Sequence, residues 1–253
     1  MIVMDYSLEI NKLSKSFDGF KLKDVSFALP KGMIMGFIGE NGAGKTTTIK
    51  LILNQYKRDG GNIKVLGMDN IEKEKLIKED IGVVFDESYF YETLKPKDIS
   101  VIMGNIYKTW DKKMFSDYLK RFELPEKTLK EYSKGMKMKL SIVTALSHSP
   151  KLLILDEPTS GLDPIIRNEI LDIFLEYIQN EQNSILFSSH ITSDLEKIAD
   201  YITFIHKGEI VFSKSKDELM DDYGIVKCGE NALTGIDKAY ILKESRKDFG
   251  TAL

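Results

Sequence analysis

The chain has 253 residues, 42% apolar and 30% charged, which is the balance of a soluble globular protein and leaves room for one large or two small domains. A formal net charge of -3 excludes a global basic field drawing the chain to nucleic acid. The single cysteine, Cys228, excludes an internal disulfide framework and suits a reducing compartment.

No stretch reaches the roughly 18–20 apolar residues needed to span a bilayer. The start, Met1-Ile2-Val3-Met4-Asp5, lacks the basic opening and apolar run of a signal peptide. A role at a membrane therefore requires another polypeptide to supply the spanning part.

In chain order, Leu8–Ile10 and Lys23–Leu29 alternate apolar and polar side chains, the period of half-buried strands. Pro30-Lys31-Gly32 is turn chemistry, and Met33–Ile38 is a short apolar run expected to be a buried strand. A glycine-rich loop follows, and Lys45–Leu53 predicts a helix. Ile81–Phe85 predicts a second buried strand ending at Asp86. From Tyr89 to Ser149 the pattern turns to lysine-rich amphipathic helices. Leu152–Leu155 restores a buried strand, Pro164–Gln179 a helix, and Ser184–Ser188 another buried strand. Tyr201–Ile205 and Glu209–Phe212 flank Lys207-Gly208 as a hairpin. Lys216–Tyr223 predicts a short helix in a less legible tail, which stops at Gly250-Thr251-Ala252-Leu253 with no terminus signal, as a shortened chain would.

The expected organisation is an α/β nucleotide-binding core over 1–88 and 150–213. A helical insertion occupies 89–149 and a C-terminal extension 214–253.

The run Gly39-Glu40-Asn41-Gly42-Ala43-Gly44-Lys45-Thr46 has the pattern G-x-x-x-x-G-K-[ST]. Its glycines let successive N–H groups point into one concavity, and the following helix N-terminus adds more donors for phosphate oxygens. Lys45 is expected to reach the β- and γ-phosphates of ATP and the Thr46 hydroxyl to hold Mg²⁺, with Thr47 adding a phosphate contact. The loop lies between a buried strand and a helix, the context that gives the pattern meaning.

Asp156-Glu157 closes the Leu152–Leu155 strand. A carboxylate at the C-terminal edge of a parallel strand faces the crevice where ligands bind. Asp156 is placed to hold Mg²⁺ through water, and Glu157 to orient or deprotonate an attacking water.

These residues resemble the nucleotide-binding subunit of an ATP-binding cassette (ABC) transporter, over most of the chain from Leu8 to Phe212. Gly39–Thr46 is similar to the family's Walker A motif and Leu152–Asp156 to its Walker B. Ser160-Gly161-Leu162-Asp163 is similar to the D-loop, which brings Asp163 into the nucleotide-binding set. The resemblance puts Glu157 at the catalytic glutamate, His190 at the switch histidine contacting the γ-phosphate, and Phe17 at the aromatic that stacks on adenine. It implies a P-loop NTPase (RecA-like) core with an N-terminal antiparallel β subdomain and a helical signature subdomain.

Two departures stand out. The family's signature is Leu-Ser-Gly-Gly-Gln, whereas this chain has Tyr132-Ser133-Lys134-Gly135-Met136. Ser133 and Gly135 are kept, Ser133 suits an N-cap, and Lys134 is expected to face solvent. The family's Gln at the end of the second strand is replaced by Asp86, which is expected to reach the metal through water.

The resemblance further implies a head-to-tail dimer of nucleotide-binding subunits, a transmembrane permease partner, and a place on the cytoplasmic face of the cell membrane. Both variants look like those of bacterial exporters of peptides or antimicrobials. Tyr89-Phe90-Tyr91 is expected either to border the groove that receives a cytoplasmic helix of the permease or to pack in the core of the helical insertion. The competing class is a soluble ABC-type ATPase acting on DNA or ribosomes. Only about ninety residues separate Lys45 from Ser133, without sustained heptads, which disfavours the coiled-coil chromosome ATPases. A regulatory module without turnover is opposed by Glu157 and His190.

Overall fold

The computed structural model describes residues 5–87 and 89–224 in full, and the backbone of short strands at 227–228, 245–247 and 250–252. Two compact units result, 1–214 and 215–253.

In the first unit, β1 (Tyr6–Phe17) and β2 (Phe20–Pro30) form an antiparallel hairpin. β3 (Ile34–Ile38) and α1 (Lys45–Ile52) follow. The chain then returns to β1 through β4 (Gly60–Val65) and turns into β5 (Met68–Asp69). The antiparallel sheet has the order β2-β1-β4-β5. β1 is longer than the alternation at Leu8–Ile10 predicts. β4 and β5 are not predicted at all, because Gly60-Gly61-Asn62-Ile63-Lys64-Val65 offers only two apolar side chains.

Next come α2 (Glu74–Asp80), β6 (Ile81–Val84), α3 (Pro96–Ile106), α4 (Lys112–Arg121) and α5 (Lys134–Leu146). The helical insertion thus stands where the amphipathic pattern predicts helices. β7 (Leu152–Asp156), α6 (Pro164–Tyr177), β8 (Ser184–Ser189), α7 (Thr192–Ile198), β9 (Tyr201–His206) and β10 (Glu209–Ser215) complete the unit. The central sheet runs β10-β9-β3-β8-β7-β6, with β9, β3, β8, β7 and β6 pairing in parallel.

β7 shows why the central strands read as unbroken apolar runs. Leu152 and Ile154 join the cluster under the antiparallel sheet with Met35, Phe37 and Ile49. Leu153 and Leu155 point the other way, into a cluster with Val143 of α5 and Phe174 of α6. Both faces are covered, so alternation disappears. Each fully buried side chain of this size stabilises the fold by roughly 1.5–3 kcal/mol.

Two polar ties fix the elements around α1. Asn70 is buried, and its Nδ2 donates to the carbonyls of Leu51 (2.9 Å) and Ile52 (3.0 Å), so the antiparallel sheet pins the helix C-terminus. At the other end, the Lys207-Gly208 turn between β9 and β10 wedges against the glycine-rich loop. Gly208 N donates to Ala43 O at 3.0 Å, and Lys23 N of β2 donates to Gly208 O at 2.9 Å. Gly208 has φ +81°, and a Cβ there would lie 2.0 Å from Lys21 O, so a side chain is excluded.

In the second unit, α8 (Lys216–Asp222) starts at a Ser215 cap whose hydroxyl accepts from Glu218 N, in line with the predicted helix. β11 (Lys227–Cys228), β12 (Ser245–Lys247) and β13 (Gly250–Ala252) form an antiparallel sheet in the order β11-β13-β12. The thiol of Cys228 lies outside the described residues.

Candidate functional site

Parallel pairing brings the C-terminal ends of β3, β8, β7 and β6 to one edge of the sheet. Ile38 pairs with Ser189, Asp156 with Ser188, and Val84 with Leu155. The segments leaving those ends are the glycine-rich loop, His190, Glu157 and Asp86, which are far apart in sequence. They line one cavity of about 580 Å³, together with Phe20 and Ser160.

The glycine-rich loop delivers α1 with its first turn open. The N-cap is Gly44, at φ 115°, and no side chain caps the helix. A Cβ on Gly44 would lie 2.7 Å from Leu22 Cδ2, so the loop is pressed onto β2. The uncapped N–H groups carry the positive end of the helix dipole into the cavity, which suits an anion.

Lys45 is only 5% exposed. Its Nζ donates to Gly39 O at 2.6 Å and to Glu40 O at 3.3 Å. Glu157 Oε1 stands 3.2 Å away, close enough for an ion pair yet without an aligned hydrogen bond, and no other hydrogen bond reaches that buried oxygen. A buried ammonium beside a carboxylate oxygen that has no hydrogen bond is a pairing whose lysine can turn to a phosphate oxygen.

Asp156 is buried at the end of β7 and accepts from Ser188 Oγ at 2.6 Å. Burial pushes its pKa above the usual carboxylate range. Hydrogen bonds from Ser188 and Thr46 pull the other way, and the charges of Asp86 and Glu157 add to the rise. Asp156, with the charges of Asp86 and Glu157 near it, sits in a negative environment that a divalent cation would relieve. Thr46, Asp156 and Asp86 offer the hard oxygen donors that Mg²⁺ prefers. Among the described residues no group of three or more His, Cys, Asp or Glu side chains forms a metal cage by itself. Phosphate oxygens and water would complete such a site, as is usual for Mg²⁺.

Glu157 occupies the left-handed backbone region at φ 53°, sparsely populated for a residue other than glycine. Its N–H donates to Ser188 O (3.1 Å) and Ser188 Oγ (3.2 Å), so β8 holds the twist that aims the side chain. Its Oε2 lies 2.7 Å from His190 Nδ1 and accepts from His190 N at 3.4 Å. A carboxylate between an ammonium and an imidazole is equipped to accept a proton from a water at that spot.

The remaining sequence-predicted residues lie elsewhere. Phe17 does not line the cavity. It pairs with Phe20 across the β1–β2 hairpin, 39% exposed, edge-on to Tyr56 at 5.4 Å. Phe20 is the aromatic that does line it. Ser133 caps α5, its hydroxyl accepting from Met136 N at 3.2 Å. Gly135 is buried, and a Cβ there would lie 2.6 Å from Ile166 Cδ1, so the end of that side chain would have to turn away. Asp163 caps α6, accepting from the N–H groups of Ile165 and Ile166 at 3.1 Å. Lys134 is exposed, as expected, but its Nζ rests 2.9 Å from where a Cβ of Gly161 would be.

Sequence reading missed Ser188, whose one hydroxyl serves both Asp156 and the Glu157 backbone. Nothing local marks it, since a serine at a strand end is common. Only the β7–β8 register reveals it.

The comparisons with known proteins agree with this geometry. Residues 22–160 match the ABC transporter family. The chain is 34% identical over 218 residues to the ABC transporter ATP-binding protein YtrB of Bacillus subtilis (strain 168), covering 85% of this chain and 74% of that protein. It is 33% identical over 249 residues to the bacitracin transport ATP-binding protein BcrA of Bacillus licheniformis, covering 97% and 81%. A solved structure of an ATP binding subunit of an ABC transporter superposes with a TM-score of 0.77 at 27% identity, over 91% of this chain and 95% of that one. With an intact phosphate loop, a carboxylate beside its lysine and relatives matched along most of their length, the chain belongs to the ABC transporter family as an ATP-binding, ATP-hydrolysing subunit.

Proposed function

We propose that this subunit powers export of a peptide or antimicrobial compound through a separate permease. The observation that carries the reading is Glu157, held at 3.2 Å from Lys45 and 2.7 Å from His190 in the phosphate-loop cavity. The similarity to a bacitracin transport protein supports the cargo class.

In this reading the backbone of Gly39, Asn41, Gly42, Ala43 and Gly44 cradles the triphosphate. Lys45 leaves Glu157 for the β- and γ-phosphates, and Thr47 adds a contact. Thr46, Asp156 and Asp86 hold Mg²⁺, which when bound neutralises charge developing on the phosphates. Glu157 takes the proton of the attacking water, and His190 contacts the γ-phosphate. Phe17 or its hairpin neighbour Phe20 packs on the adenine.

The cavity is open on one side, so a second subunit, identical or related, closes it. The N-terminus of α5 with Ser133 and Gly135, and the turn ending at Asp163, supply that second wall in a head-to-tail dimer. Exclusion of water then strengthens each contact to the phosphates.

Force reaches the permease through the surface beside Asp86. Phe90 packs into the core, whereas Tyr89 and Tyr91 are 71% and 80% exposed. A groove of about 570 Å³ is lined by Leu53, Ile81, Val83, Phe85, Ile106 and Tyr107, with Glu74, Lys75, Lys78 and Glu79 as its charged members, and Phe85 meets Tyr89 edge-on. An apolar groove bordered by charges of both signs fits a short amphipathic helix of the permease. No helix among the described residues is long and apolar enough to cross a membrane, which fits peripheral attachment to the cytoplasmic face.

Reading the genes that flank this one, and co-expressing the chain with any multi-spanning protein found there, tests the reading. A complex that survives detergent extraction and hydrolyses ATP supports it. A chain that stays out of the membrane and sediments with ribosomes or DNA refutes it.

A further inference from the structure

Glu157 and His190 meet at the surface of the site, at the ends of β7 and β8. Behind them lies a second contact between the same two segments that the phosphate chemistry does not use. Thr159 Oγ1 donates to Asp194 Oδ2 at 2.7 Å, and both residues are buried, at 0% and 1% exposure. Asp194 sits on α7, just beyond His190. Thr159 lies in the turn that Ser160 N closes onto Glu157 O at 3.1 Å. On the α7 side, Asp194 N donates to Ile191 O at 3.3 Å, and Ile191 N to Ser189 Oγ at 2.9 Å.

Two contacts and two short stretches of chain close a ring: the chain runs from Glu157 to Thr159, Thr159 bonds Asp194, the chain runs back from Asp194 to His190, and His190 bonds Glu157. A carboxylate this deeply buried is retained only where it is paired and hydrogen-bonded. Arg167 of α6 faces it, with Nε 3.9 Å from Asp194 Oδ2 and Nη2 donating to Leu162 O at 3.3 Å. Arg167 thus brings its charge near Asp194 without a hydrogen bond to it and bonds the turn after Glu157 at Leu162.

We infer that Thr159 and Asp194 are positioning residues, a rear tie that sets the spacing of Glu157 and His190. The inference rests on the reading of Glu157 and His190 as the hydrolytic pair. The front contact between them is exposed and is broken when either side chain turns to another partner. The rear tie is shielded from water and persists, so the two segments keep their separation while the side chains exchange partners. The left-handed backbone of Glu157 needs such reinforcement, because strain of this kind persists only where the surroundings over-determine it.

The test compares purified Thr159→Val, Thr159→Ser, Asp194→Asn and Glu157→Gln with the parent chain, in ATP turnover and in binding of a fluorescent ATP analogue. Thr159→Val keeps shape and removes the hydroxyl. We expect its kcat to fall about tenfold, as misplacement near a reacting centre does, with KM and nucleotide affinity within about twofold. Thr159→Ser restores the rate. In a His190→Ala background, adding Thr159→Val produces no further loss, because the tie acts through that pair. A kcat for Thr159→Val within twofold of the parent overturns the inference, as does a full tenfold loss on top of His190→Ala. If Thr159→Val fails to fold, Asp194→Asn is read by the same criteria. Glu157→Gln separates the two levels: if that variant still turns over ATP, the reading of the pair has failed, and if it is inactive while Thr159→Val is normal, the rear tie has failed alone.

Discussion

The N-termini of α1 and α5 are finished differently. α1 begins at Gly44 with no side-chain cap, and its first turn opens into the phosphate-loop cavity beside a buried lysine. α5 begins at Ser133, whose hydroxyl already occupies the Met136 N–H, and the cavity does not reach it. The first offers uncapped N–H groups to an anion, and Glu157 pairs the neighbouring lysine charge. The second is a stable helix end with one donor spent on itself and a lysine, Lys134, laid over the neighbouring Gly161 turn. In the head-to-tail dimer proposed above, the α1 half of the site is complete within one chain and the α5 end serves the other chain.

The largest effect should come from the complete half. Glu157→Gln keeps shape but removes the proton acceptor, so ATP turnover should fall at least a hundredfold, the range for loss of a general base. Phosphate release measures this, and gel filtration with ATP should show a trapped dimer. A fast, monomeric variant would make the open face of the cavity irrelevant and erase the contrast between the two helix ends.

Next is Lys45→Ala. It removes charge-assisted hydrogen bonds to the triphosphate worth about 1.5–3 kcal/mol, so ATP affinity should weaken roughly tenfold to a hundredfold in a direct binding titration. Unchanged affinity would mean that the loop backbone alone grips the ligand.

Ser133→Ala addresses the other helix. Loss of the cap should lower stability by about 1 kcal/mol in a denaturant melt. ATP binding by the isolated subunit should not change, while turnover at high protein concentration should drop. Equal loss of nucleotide binding by the monomer would place the α5 end in the same half-site as α1 and collapse the comparison.

The smallest effect concerns His148, in the helical insertion. It is buried, its Nε2 lies 3.0 Å from Ile81 O, and its ring stacks on Tyr107 with centroids 3.9 Å apart. Burial pulls its pKa below the ordinary value, and the Ile81 and Thr144 carbonyls oppose this only in part. Above about pH 6.5 both folded and unfolded states hold it neutral. As pH falls through that value the unfolded chain takes up a proton that the folded chain refuses, so stability drops toward acid. Melting temperature should decline from pH 7 to pH 5, and His148→Gln should flatten that slope. An unaltered slope would assign the acid sensitivity to other groups.

Much of the central sheet was legible because buried parallel strands write themselves as apolar runs, as Met33–Ile38 and Leu152–Leu155 do. The phosphate loop was legible for a different reason: glycines, a lysine and a threonine must stand at fixed offsets to present one backbone surface. Hidden features depend on register or distance. β4 carries too few apolar residues to announce itself. Phe17 and Phe20 are equally aromatic, and only the turn between them decides which lines the cavity. Ser188 and Asp194 look unremarkable until β8 is set against β7.

The Lys207-Gly208 turn has a practical consequence for reading sequence variants. It lies more than 160 residues after the phosphate loop and belongs to no motif, yet its backbone is bonded to Ala43 within that loop. Any side chain at 208 would collide with Lys21 O at 2.0 Å and push on both β2 and the loop. A scan that scores changes by distance from known motifs would pass Gly208→Val as harmless. A patient, strain or directed-evolution library carrying it would show a nucleotide-binding defect whose cause lies at the far edge of the sheet.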